Sequence, residues 1–206
     1  WKPDFDDSDF DTIQVPGHME TQGYDRIQYI NKLYDWDGHA ELRPPHIDWR
    51  HDPVGSYVTC FDLEETLLEH PVCISFQGVE QAMYVWLNGH FVGYSEDSFT
   101  PSEFDLSPYI HPTGNRLCVE VYKRSSAAWL EDQDFFSFSG IFRSVYLYAK
   151  TKCYVEDLWL NACLAPDNQT GTLRLRLKFA KTAVPKVHLF QVGGQAVLGR
   201  QDSLPT

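Results

Sequence analysis

A chain of 206 residues is long enough to bury a full hydrophobic core and to hold one sandwich-sized domain with part of a second. Its 29 acidic against 17 basic residues give a net charge of -12, which repels a nucleic-acid backbone and an anionic membrane surface alike. No apolar run reaches the roughly 18 residues that a spanning helix needs, and no basic-then-apolar start resembles a signal peptide, so a soluble chain is expected.

Up to residue 55 the chain reads as irregular, punctuated by Pro3, Pro16, Pro44, Pro45 and Pro53. Its start carries Asp4, Asp6, Asp7, Asp9 and Asp11, a run expected on a solvated surface rather than around a metal. Period-two alternation then takes over and predicts strands at residues 56–63, 72–77, 82–87, 91–95, 116–122 and 143–149. Between two of them, Asn88-Gly89 in VWLNGHFVGY predicts a two-residue hairpin, because both turn positions need positive φ. Residues 65–70 and 102–110 are each expected to hold a single helical turn. In the second, Ser102 followed by acids reads as a cap and Pro108 as the stop. The run TPSEFDLS (100–107) is expected to place Phe104 and Leu106 in the core.

After Lys150 the aromatics thin out and Leu/Arg alternation appears, predicting strands at 154–164, 172–179 and 186–192 of immunoglobulin-like character. A boundary near residue 150 follows. Such a sandwich takes about 100 residues. Only 56 lie between 151 and 206, which predicts a second unit cut short and a chain that is a fragment of a longer protein.

The five cysteines, at 60, 73, 118, 153 and 163, are odd in number and lack CxxC spacing. Most sit in strand-like runs such as SYVTCFDL and RLCVEVY, so all five are expected to be packing residues of a reduced, cytoplasmic chain without zinc. The eight histidines show no ligand spacing, and His18, His39, His46 and His51 are expected in loops or at the surface.

The stretch WLEDQDFFSFSGIFR (129–143) sets Glu131, Asp132, Gln133 and Asp134 among aromatic residues. Three readings stand side by side. The acids are simply solvated in a loop. Two of them form a catalytic pair, since glycoside hydrolysis uses carboxyls about 5 to 9.5 Å apart. Or they build a pocket for a polyol or a cation, because ionised carboxylates accept hydrogen bonds from sugar hydroxyls and ligate hard cations, while aromatic faces cover the apolar side of a sugar ring. Any acid lying against apolar surface needs a partner.

Together, IQVPGHMETQGYDRIQYIN (13–31), WLNGHFVGYSEDSFTPSEFDLS (86–107) and the EDQD stretch resemble the amino-terminal region of β-galactosidases of glycoside hydrolase family 2, closest to the large-subunit branch. The resemblance implies an all-β chain: a jelly-roll, galactose-binding-domain-like sandwich over residues 1–149, then the amino-terminal part of an immunoglobulin-like sandwich over 150–206. It implies no catalytic residue here, since the acid/base and nucleophile glutamates of the family belong to a (β/α)₈ barrel outside this segment. Asp134 resembles a residue that touches a galactosyl hydroxyl and ligates an active-site sodium ion, and Asn31 resembles a second sugar contact. The family's magnesium ligands lie mainly outside the segment. The neighbour of Asn31 is Lys32 where the best-known branch is apolar, which leaves preference beyond galactose open. Tyr24 and Asp25 are expected to shape the loop carrying Asn31, and GIFR to turn into the last strand with Arg143 pairing to an acid. The implied partners are a β-galactoside such as lactose, the remaining domains or a small subunit of the same enzyme, and further copies in an oligomer. The alternative is a free-standing carbohydrate-binding module with a pocket of its own.

Overall fold

The computed structural model describes residues 1–199 other than 32, 35, 38–40, 132, 191, 192, 194 and 195. Lys32, His39 and Asp132 therefore lie outside the described residues. The chain forms two compact units, Trp1–Ala149 and Lys150–Thr206. It is all-β, with only short 3-10 turns interrupting the strands.

The first unit is a sandwich. One sheet has four antiparallel strands in the order β2 (Val54–Phe61), β7 (Asn115–Tyr122), β4 (Ala82–Leu87) and β5 (His90–Ser95). The other has β6 (Ser102–Asp105), β3 (Val72–Phe76) and β9 (Val145–Ala149). Alternation decides what each strand buries. In β4, Met83, Val85 and Leu87 are buried while Tyr84 and Trp86 point away from the core. Val119 and Val121 add to the same inner face, and Ile74 and Phe76 of β3 close the core from the opposite sheet. Each such side chain contributes roughly 1.5–3 kcal/mol by leaving water. All five residues of β3 are buried, as suits the middle strand of its sheet.

The Asn88-Gly89 turn forms as expected, with φ of 52° and 82°. A single 3-10 turn occupies Glu65–Leu67. The helical turn expected from residue 102 does not form: Ser102–Asp105 is a strand paired to β3, with Phe104 opposite Ile74, because burying Phe104 and Leu106 outweighs the cap signal. Ser102 shares a 2.7 Å hydroxyl contact with Ser95 instead of capping anything.

A separate two-stranded ribbon joins β1 (Gln28–Ile30) to β8 (Phe135–Ser137), neither of which the alternation predicted. In the second unit, β10 (Val155–Leu164) pairs with β11 (Gly171–Phe179), and β12 (His188–Phe190) with β13 (Ala196–Gly199).

Only Cys73 and Cys118 are buried packing residues; Cys60 and Cys163 are exposed on strands and Cys153 in the bend before β10, against the expectation for all five. His46 and His51 are exposed, and His18 lies in a loop, half-buried, all as expected. Its ring stacks on Phe138 at 4.4 Å and Phe142 at 5.2 Å, and the burial pushes its imidazole below the ordinary value. Arg143 donates to the carbonyls of Phe99 and Gln77, at 2.7 and 3.3 Å, and lies over the Phe142 ring. Among the described residues it makes no ion pair with an acid.

Candidate functional site

The two motif stretches, far apart in the chain, are one physical unit. Gly17 N–H donates to Ile141 O and Met19 N–H to Ser139 O, both at 2.9 Å, so the entry to the QGYD turn is sewn to SGIF. Gly140 makes that approach possible: its φ is +115°, and a Cβ there would sit 3.1 Å from Gly17 O, Met19 N and Tyr57 Oη. The Glu20 carboxylate then takes the Ser139 N–H at 2.9 Å and its hydroxyl at 2.7 Å.

Beyond the turn, β1 runs antiparallel to β8 with Gln28 opposite Ser137, Tyr29 opposite Phe136 and Ile30 opposite Phe135. The ladder ends at Ile30–Phe135, and Asn31 and Asp134 are the residues that adjoin it on either strand. Directly opposed residues of an antiparallel pair share a face, with Cβ atoms about 4.5–5.5 Å apart. Tyr29 and Phe136 form such a pair, and they and the adjoining Asn31 and Asp134 are all exposed. The Tyr29 and Phe136 rings are 5.4 Å apart, and Tyr29 Oη donates to Asp134 Oδ1 at 2.5 Å. That bond pushes the Tyr29 phenol up from its ordinary value. Phe135, Phe136 and Ser137 of β8 line a small cleft of about 40 Å³ together with Tyr34, Trp36, Glu131 and Gln133. Trp36 is buried, stacked on Tyr34 at 5.1 Å and tilted against Trp129 at 4.7 Å.

Adjacent cations on the end of β7 hold this ribbon. Lys123 Nζ reaches Glu20 Oε1 at 2.7 Å, Asp25 Oδ2 at 2.6 Å and the Arg26 carbonyl at 3.5 Å. Burial pushes the Asp25 carboxyl up, but the Lys123 ammonium and the Arg26 N–H outweigh it and hold it below the usual carboxylate value. Arg124 Nη2 donates to Gln28 Oε1 at 3.4 Å, while its backbone N–H caps Asp52 at 2.8 Å. Burial raises Asp52 to about 6, against the pull of Arg124. Asp25 thus fixes the loop carrying Asn31, and Tyr24 ties it to the Thr12 carbonyl at 3.4 Å.

The acids of EDQD part company. Glu131 accepts the Ser98 N–H at 3.1 Å and its hydroxyl at 2.5 Å, so its oxygens are engaged in holding a loop. Asp134 stays exposed with Tyr29 as its partner. Among the described residues no group of three or more histidines, cysteines and acids could by itself hold a metal ion. Tyr29 is the residue that reading the sequence left out. Its only signal is the two-residue spacing from Asn31, which puts both on one face once the segment is a strand.

The comparisons point one way. Residues 1–151 match the model of the glycosyl hydrolases family 2, sugar binding domain. The chain is 57% identical over 178 residues to a beta-galactosidase of Clostridium acetobutylicum, covering 86% of this chain and 20% of that protein. It is 51% identical over 190 residues to the beta-galactosidase large subunit of Leuconostoc lactis, covering 86% and 30% respectively. The solved Bacteroides uniformis beta-glucuronidase 2 shares the fold with a TM-score of 0.72 at 20% identity, over 98% of this chain and 23% of that one. The chain therefore spans less than a third of the length of these proteins. With the family model matched across the whole sandwich and both motif stretches inside it, the chain belongs to the sugar-binding domain family of family 2 glycosyl hydrolases.

Proposed function

We propose that this chain is the amino-terminal part of a retaining β-galactosidase, in which it supplies one edge of the galactose site and carries no catalytic group. The observation that supports the proposal is the β1–β8 ribbon, whose ends adjoin Asn31 and Asp134 across a separation of about a hundred residues. An amide able to donate and accept beside an ionised acceptor suits the paired hydroxyls of a sugar. In this reading residues 1–149 are the sugar-binding jelly roll and 150–206 begin an immunoglobulin-like sandwich. The rest of the enzyme, as further domains or a small subunit, supplies the carboxyl pair that cleaves terminal β-D-galactosides such as lactose by double displacement. The free thiols are in keeping with a reducing, cytoplasmic setting.

Asp134 also fits one ligand of a sodium ion. It is exposed, and among the described residues its Oδ2 accepts no hydrogen bond, leaving an oxygen of the type that hard cations take. The remaining ligands would come from outside the chain. When bound, the ion supplies fixed positive charge beside a sugar hydroxyl. The chain's own residues orient the galactosyl ring and move no proton, so their effect is on positioning.

In the full-length enzyme, Asp134→Ala is expected to raise both the KM for a chromogenic β-galactoside and the sodium concentration for half-maximal activity, each by roughly tenfold or more. Steady-state assays across a sodium series read both quantities. An unchanged sodium response would remove Asp134 from the site.

A further inference from the structure

The hydroxyl of Tyr29 does more than fill space beside Asp134. A phenol that donates to one carboxylate oxygen fixes the rotation of the carboxylate, withdraws part of its charge and leaves one oxygen for other partners. The ladder sets Tyr29 between its paired neighbours Gln28 and Ile30, and the ring rests against Phe136, so the hydroxyl is held in place independently of any ligand. Resting on the reading of Asp134 given above, we propose that Tyr29 is a positioning residue that makes Asp134 a one-handed acceptor, presenting Oδ2 alone to a galactosyl hydroxyl and a monovalent cation.

The proposal has a signature that packing does not share. Tyr29→Phe keeps the ring and its contact with Phe136 and removes one oxygen. Asp134 then carries its full charge on two free oxygens, which holds a cation more tightly and with less discrimination by size. The same carboxylate, free to rotate, meets a sugar hydroxyl less often in the right orientation. The two affinities move in opposite directions.

The test is a sodium and a potassium titration of the full-length enzyme, read by calorimetry without substrate and by steady-state assay with a chromogenic β-galactoside, for Tyr29→Phe, Asp134→Ala and the unmodified protein. The expected result for Tyr29→Phe is a sodium requirement lowered about threefold, a narrower gap between sodium and potassium, and a KM raised about fivefold with kcat within about twofold. If Tyr29→Phe leaves both affinities unchanged or weakens both in parallel, while Asp134→Ala weakens both, Tyr29 has no such role and the site reading stands. If Asp134→Ala itself behaves as the unmodified protein, the site reading falls and this inference with it.

Discussion

Lys123 has its side chain almost wholly out of water, between the fully buried Glu20 carboxylate and the partly exposed Asp25. Removing one partner of a buried ion pair leaves the other charged, desolvated and unmatched, which is far more damaging than losing a surface pair. Lys123→Met is therefore expected to destabilise the first unit by about 3–5 kcal/mol. The measurement is the shift in urea midpoint of residues 1–149, and a change below about 1 kcal/mol, the surface-pair value, would mean that water reaches Glu20. Single residues were legible to the extent that a rule is local. Acids among aromatics require partners, and Glu131 and Asp134 both have one. Which partners they are was not legible, because Ser98 and Tyr29 arrive through the fold from distant positions. Arg143 shows the same limit: its charge suggested an acid, yet its position beside β3 offers the carbonyls of Gln77 and Phe99.

At the scale of elements, the β4–β5 hairpin shows how much a turn can bear. Asn88 sits at φ 52°, a left-handed position, and its side chain donates to Tyr109 O at 2.8 Å and Asn115 Oδ1 at 3.0 Å while accepting the Arg116 N–H at 2.8 Å. Asn88→Ala loses those bonds and leaves a β-carbon in a strained conformation, so a loss of about 2–4 kcal/mol is expected in thermal unfolding. Sugar and sodium responses are expected to stay as they were, since the hairpin lies outside the ribbon that bears Asn31 and Asp134. A parallel loss of both would tie the hairpin to the site. Strands such as β4 and β7 announced themselves because one face buries aliphatics at every second position. The ribbon did not. β1 and β8 have three residues each, and their outward face carries Tyr29 and Phe136 rather than a polar row, so no alternation marks them. β6 was mistaken for a helical turn because Ser102 and the acids after it form a local cap signal, whereas pairing with β3 is a tertiary event.

On the scale of the whole molecule, the second unit is unlike the first. None of residues 150–190 is buried, and Leu158, Leu160 and Leu164 are each more than half exposed along β10. A hairpin such as β10–β11 without a buried side chain lacks the apolar burial that must offset the entropy of ordering the chain. Residues 150–206 made alone are expected to show no cooperative unfolding transition by circular dichroism, whereas residues 1–149 unfold in one step. A sharp transition in the shorter piece would show that it closes a core of its own.

The ribbon that brings Tyr29 to Asp134 has a consequence for the order in which the protein assembles itself. Tyr29 and Asp134 are separated by 105 positions, and closing a loop of that length costs about 4 kcal/mol in chain entropy. A ladder of three residue pairs cannot offset this by itself. β1 and β8 can zip only after the sandwich between them has drawn their ends together, so this ribbon is expected to be among the last features to form during folding. A chain that stalls with its core collapsed would be compact and still lack the edge proposed to meet the sugar.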